Sequence, residues 1–314
     1  MRRLAILLAV PAILAGQTPE QLFEQRKLDE ARAAFQAQLA KDKNDANALY
    51  YMGRIALVQD SSSKAVDWFE KAVKRNDASA LYHYWLGSAL GDEAQKASKF
   101  RQPFLARRVK NEFERSVQLD PKMLEPRRGL VDFYSMAPGI MGGSMDAARE
   151  QAGEIVKLNT LQGHLAFARI AQQQKDVVAE EAAYKAIIAA MPDSAPGYYS
   201  LAGFYRRQSK WSDAFATYEQ LMKLKPDEVI AHAGWGFTAA QSGSNLERGE
   251  RELKFFQANL TKDVPTQTIA AAHFRLGQIY EKTARRDLAK MEYAEALRIN
   301  PQHPDAKKAL DALK

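Results

Sequence analysis

Five histidines, four tryptophans and a scatter of acidic residues are what catalysis could draw on in this chain. Cysteine is absent, which removes disulfides, thiolate zinc sites and cysteine nucleophiles together. No HExxH pair, no GxGxxG or GxxxxGK[ST] loop and no GxSxG elbow occurs. Zinc-protease, dinucleotide, P-loop and serine-hydrolase chemistries therefore have no carrier here. His83, His164, His232 and His273 could be imagined as a scattered metal or acid–base cluster. Asn259-Leu260-Thr261 fits a glycosylation acceptor, a three-residue match of the kind that arises by chance. No residue is nominated as catalytic or metal-ligating, no cofactor is implied, and the expectation is a protein that is not an enzyme.

The 314 residues are 46% hydrophobic, enough to build a core and to exclude a wholly disordered chain. Forty-five basic against 38 acidic residues leave a net charge of +7, too mild an excess to argue for nucleic acid by itself. Residues 1–16 carry Arg2 and Arg3, then an apolar run from Leu4 to Leu14, then Ala15 and Gly16 before the polar Gln17. That order is the layout of a secretory signal peptide, shorter than the ~20 apolar residues of a spanning helix. The expected product is periplasmic or secreted, cleaved between Ala15 and Gln17, with no transmembrane anchor left. Ten Lys/Arg and four Asp/Glu fall in residues 96–128, so the basicity is one stretch.

The elements that must position any surface are written as a repeat. Pro192 and Pro226 stand 34 residues apart, each after a helix-like run. Backwards from Pro226 come Leu221, Tyr218, Ala214, Tyr205, Ala202, Leu201 and Tyr198; from Pro301, at the same offsets, come Ala296, Tyr293, Ala289, Tyr280, Gly277, Leu276 and His273. A third copy runs Leu49, Met52, Gly53, Ala56, Ala65, Phe69, Ala72, with Asp77 in the proline slot. Spacings of three and four put each set on one helix face, and small residues at Gly277 and Ala289 let two antiparallel helices approach.

This pattern resembles the tetratricopeptide repeat, W-x2-L-G-x2-Y, then A-x3-F, then P. The resemblance implies an all-α fold, a right-handed solenoid of about six to seven antiparallel helix pairs with a C-terminal capping helix. Regular copies lie near 46–77, 195–226 and 270–301; degenerate pairs lie near 18–45, 80–121, 122–160, 161–192 and 229–261; residues 304–314 form the cap. After the signal peptide, the rest of the chain, 17–314, is one helical repeat domain of thirteen to fifteen helices. On this register His83, His164, His232 and His273 all occupy the tryptophan slot, which packs one pair on another, so their expected role is packing.

The family also implies a concave groove lined by the first helix of each pair, holding an extended peptide or a partner's helix. Its positions carry Asn47, Tyr50, Arg54, Leu57, Tyr84, Ser88, Phe133 and Tyr134 in the first half. Later copies supply Tyr199, Arg206, Arg207, Phe237, Phe274, Gln278 and Lys282. Tyrosine and arginine commonly anchor interfaces. The lysine–asparagine carboxylate grip of some family members is absent, since Tyr50 with Arg54 and Tyr84 with Ser88 stand there. The basic stretch, with Arg101, Arg107, Arg108, Lys110, Arg127 and Arg128, is either a site for an anionic peptide, lipid or envelope polymer, or a solvated face with local pairs such as Arg108–Glu112. Two functions follow. The first is a non-enzymatic scaffold of the cell envelope that binds an unidentified protein partner. The second is a module for an anionic small molecule, lipid or glycan that serves a transporter or envelope-synthesis system. Nucleic acid is not expected.

Overall fold

The computed structural model describes residues 16–313; residues 1–15, on which most of the expected signal peptide falls, lie outside them. Seventeen α-helices follow one another, and the described residues contain no strand. They pair as α1 (Pro19–Glu24) with α2 (Leu28–Lys41), α3 (Ala46–Val58) with α4 (Ser62–Arg75), α5 (Ala80–Lys96) with α6 (Gln102–Leu119), and α7 (Leu124–Met136) with α8 (Met145–Leu158). Then come α9 (Thr160–Gln174), α10 (Val177–Ala190), α11 (Ala195–Arg207) with α12 (Trp211–Leu224), α13 (Val229–Ser242) with α14 (Leu246–Ala258), and α15 (Thr266–Lys282) with α16 (Arg286–Ile299). The chain closes on α17 (Pro304–Ala312). The helix count exceeds the thirteen to fifteen expected. One reason is that six residues suffice for α1 once Thr18 and Gln21 close a reciprocal capping box.

Two compact units divide the chain, one through Lys175 and one from Asp176. The boundary falls within the expected pair 161–192, where the repeat signature is weakest. In the first unit, Phe35 and Ile55 centre one core, and Phe69, Leu90, Leu130 and Ile155 another. In the second, Tyr218, Leu221 and Trp235 form one cluster, while Leu253, Phe256, Leu276 and Tyr293 form another that α17 covers with Ala306.

In the pairs α3–α4, α5–α6 and α15–α16 a glycine of the first helix meets an aromatic ring of the second. A Cβ placed on Gly53 would lie 2.6 Å from the Phe69 ring, and one on Gly277 would lie 2.5 Å from Tyr293. Phe113 is wedged between two such positions, at 2.8 Å from a Cβ on Gly87 and 2.6 Å from one on Gly129. Real Cβ atoms do not approach that closely, so the helix separation is set by these bare positions.

Two kinds of turn join first helix to second. In the pairs α1–α2, α3–α4, α11–α12 and α15–α16 one residue turns left-handed, at Arg26, Asp60, Ser209 and Ala284. The next N–H then reaches the carbonyl five residues back: Lys27 to Leu22, Ser61 to Ala56, Lys210 to Tyr205 and Arg285 to Tyr280, all at 2.8–2.9 Å. This is the Schellman closure. By contrast, the chain leaves α5 and α7 with extended backbone at Ala97 (ψ 155°) and Ala137 (ψ 140°). It then wanders through 97–101 and 137–144, the latter with a 3-10 turn over Gly139–Met141, before reversing.

Candidate functional site

In the first unit a cleft of about 600 Å³ opens between α5 and α7, floored by Phe113 of α6. Gly87, Ser88 and Gly91 line one wall; Gly129, Phe133 and Met136 line the other. The glycines that bring α5 and α7 onto Phe113 also leave the cleft its width. Asp92 lies in it, its carboxyl pushed above the usual range by burial, with Lys96 pulling the other way.

The expected groove residues separate into a floor and an open layer. Tyr50 and Phe274, which share one repeat position, are buried. Tyr50 stacks on Tyr82 at 5.2 Å and Phe274 lies 5.6 Å from Tyr293, so these rings serve packing. Tyr84, at the same position, is half-buried against Phe113 and Trp85. Tyr134 is also buried and donates to Glu114 at 2.7 Å. Burial first, and then Glu114, hold its hydroxyl protonated well above the ordinary range. The physical reason is register: Tyr134, seven residues after Arg127, points back at the second helix of the preceding pair, as Tyr205, seven residues after Tyr198, does in donating to Glu181 of α10 at 2.9 Å. Arg207 also reaches α10, meeting Glu180 at 2.6 Å, and Glu180 is itself buried. It is a packing tie as well as a surface charge.

Arg54, Ser88, Phe237 and Gln278 keep the partly exposed positions. Arg54 lies over Trp85 at 4.1 Å and Phe23 at 5.0 Å, and donates to Tyr50 at 2.7 Å. In the second unit, Arg206 donates to Gln241 at 2.9 Å and lies 5.8 Å from the Phe237 ring centre. Arg275, which the groove positions did not include, donates to Gln278 at 2.7 Å. Burial, and then the charge of Arg206, push its pKa below the ordinary arginine value. Neither arginine has an ion pair among the described residues. An arginine flanked by Phe274 and Leu276 in an apolar run was the one signal in the sequence that could have drawn attention to it. Tyr199, on the same set of first helices, donates to Glu228 at 2.7 Å.

The basic stretch is not one patch. Arg127 is buried, bonded to the Pro121 carbonyl at 3.0 and 3.1 Å and to Gln151 at 2.9 Å. Arg108 pairs with Glu70 of α4 rather than with Glu112, whose carboxylate is taken by His83. Arg115 reaches Asp77 at 3.1 Å and Arg101 reaches Glu93 at 2.8 Å. Lys110 stands 3.7 Å from Glu114, and Arg128 is exposed beside the Asp132–Arg169 pair. Stacking brings carboxylates 38 residues away up to Arg108 and Arg115, which spacing along the chain cannot reveal.

Two of the histidines, His83 and His232, are tied into the backbone. His83 contacts Glu112 at 2.6 Å and the Asp77 carbonyl at 3.0 Å; His232 contacts Glu252 at 2.6 Å and the Pro226 carbonyl at 3.1 Å. His273 meets Glu292 at 2.7 Å. Burial alone would lower the pKa of His83, but the Glu112 hydrogen bond and the Asp77 carbonyl reverse it, so the net shift is upward. The carbonyl six residues earlier is also held by Tyr198 (Pro192, 3.1 Å) and by Arg127 (Pro121). The slot thus carries a donor that pins the preceding turn. His164 differs, lying 6.4 Å from the Phe167 ring centre.

Models of the tetratricopeptide repeat match residues 21–80 and 270–303. No curated protein matches the chain. Among solved structures, a tetratricopeptide repeat protein from Parabacteroides merdae is 11% identical, with 85% of this chain and 98% of that one covered, at a TM-score of 0.49. A tetratricopeptide protein of Thermus thermophilus is 22% identical over 55% of this chain and 91% of its own, at 0.42. Another, described as a tetratricopeptide protein with an unusual peptide-binding site, is 14% identical over 88% and 98%, at 0.32. No helix among the described residues is long and apolar enough to cross a membrane.

Proposed function

Since the chain carries tetratricopeptide repeats, we propose that it is a non-enzymatic scaffold that holds an acidic segment of a partner protein on its first helices. The observation that carries this reading is the Arg206–Arg275 pair. Two like charges, one of them largely desolvated, sit together with Phe237; neither makes an ion pair among the described residues, and Asp305 acts on Arg275 only through its field. A half-buried guanidinium without a hydrogen-bonded anion is costly, and a partner's carboxylate relieves it with a charge-assisted hydrogen bond. Gln241 and Gln278 aim the two forks, and Phe237 offers an apolar contact beside them. The place of action is the cell envelope, on the strength of the signal-like order of residues 1–16.

Binding of fluorescent acidic peptides containing an aromatic residue tests the reading. Arg206→Ala and Arg275→Ala should each weaken binding by about 1 kcal/mol or more, and the loss should shrink as salt rises. Peptides that bind both variants as tightly as the parent would sink it. Export is tested separately, by whether the N-terminus of the protein recovered from its host begins beyond residue 15.

A further inference from the structure

Among the described residues, four of the six large apolar side chains more than 60% exposed lie in or beside the two irregular turns of the first unit: Phe100 (97%), Ile140 (95%), Phe104 and Met136 (67% each). The two turns are neighbours. Pro103 and Arg107 share a cleft of about 410 Å³ with Ile140 and Met141, and Gln102 and Ala106 face Met136 and Pro138 across the larger one. Phe100 lines neither cleft and stands clear of the protein surface.

Basic side chains outnumber acids along these turns, although Asp92 and Asp132 line the larger cleft. Residues 94–111 hold six Lys/Arg and no acid, and residues 133–145 hold no charge at all. Two acids near this edge are already neutralised, Glu93 by Arg101 at 2.8 Å and Asp60 by Lys96 at 2.5 Å. Lys99 and Arg107 make no ion pair among the described residues. Lys110, at 3.7 Å from Glu114, is only loosely held.

We propose that this edge, formed by the 97–101 and 137–144 turns with the start of α6, docks on an anionic lipid bilayer. Phe100 and Ile140 enter the acyl boundary while Lys99, Arg107 and Lys110 meet the headgroup phosphates. A peptide would lie within a cleft and touch its walls, whereas Phe100 projects clear of both clefts and Ile140, at the rim of the smaller one, is almost fully exposed. A soft phase that closes around a single projecting side chain suits them, and cations beside apolar tips are the usual composition of an interfacial anchor. The inference is independent of the acidic-segment reading, because it uses neither Arg206 nor Arg275.

The absence of native cysteine makes the test site-specific. Phe100→Cys, Ile140→Cys and, as a control in the other unit, Val178→Cys (79% exposed in the parent) are each labelled in the full chain with an environment-sensitive nitrobenzoxadiazole. On mixed phosphatidylglycerol–phosphatidylcholine vesicles, emission at positions 100 and 140 should rise and shift to the blue, while position 178 stays unchanged. On pure phosphatidylcholine the response should be far weaker. Arg107→Gln and Lys110→Gln should each weaken it about fivefold, with circular dichroism unaltered. No response at positions 100 and 140, an equal response at 178, or indifference to the two charge removals each overturns the proposal. So does a response to an acidic peptide in place of vesicles, which would make this edge a protein interface.

Discussion

The turn between α15 and α16 and the turn between α5 and α6 do the same topological job with opposite results. At the first, Ala284 goes left-handed, Arg285 bonds back to Tyr280, and the chain reverses within three residues. At the second, Ala97 stays extended, and the chain travels outward past an almost fully exposed Phe100 before α6 begins. The backbone of the first one or two residues after the helix separates the two. A closed turn keeps the apolar side chains of the pair inside it. An extended exit puts those of the turn into solvent and frees them for something other than the fold. In this chain, then, regularity marks where stability is held, and irregularity marks surfaces that packing does not account for.

The sharpest way to break that contrast is to crowd the regular part. Gly277→Leu forces a side chain into the Tyr293 ring and should cost about 3 kcal/mol. Because the repeats form a near one-dimensional stack, the loss of hydrogen-exchange protection should stay within residues 266–313. Protection lost equally across residues 46–75 would mean one cooperative body instead.

Arg207→Ala should come next, at about 1–2 kcal/mol in denaturant melts, because it strips the guanidinium from the buried Glu180. Arg207→Lys should recover part of this. An unchanged melting midpoint would make Arg207 a plain surface charge.

The His83 tie predicts a pH dependence. The folded-state pKa lies above the unfolded value of 6.5, so the contribution is complete below 6.5 and drains away as pH rises through the folded value. The stability gap between the parent and His83→Gln should therefore narrow by about 1 kcal/mol as pH is raised from acid through neutrality. A gap that widens over that range would reverse the assigned charge state.

The smallest effect tests the closed turn itself. Ala284→Gly places a residue without Cβ at φ 61° and should stabilise by about 0.5–1 kcal/mol, visible as a raised melting temperature. Gly91→Ala, in the α5 wall of the open cleft, where a Cβ would meet nothing within 4 Å, should also stabilise, by up to about 1 kcal/mol, through its better helix propensity.

The repeat was legible because helix-on-helix packing recurs at fixed spacing. Gly53, Gly277, Phe69 and Tyr293 stand where the pattern requires them, and the all-α architecture follows. The division of the groove was not legible. Tyr50 and Phe274 lie on the same helix face as Arg54 and Gln278, and only the stacking of neighbouring first helices decides which side chain becomes floor. Ion pairs such as Arg108 with Glu70 were hidden for the same reason, since they join helices that touch only after stacking. The closed turns carry Arg, Asp, Ser and Ala rather than glycine at the left-handed position, so the usual letter for that conformation is missing.

The slot that pins each preceding turn bears on how such chains are recognised. His83, Arg127, Tyr198 and His232 share neither charge, ring nor size, yet each sends a polar tip to the carbonyl six residues earlier. A pattern spelled in residue letters scores all four as departures from tryptophan. Spelled as an amphipathic side chain long enough to donate across the turn, it scores all four as agreements.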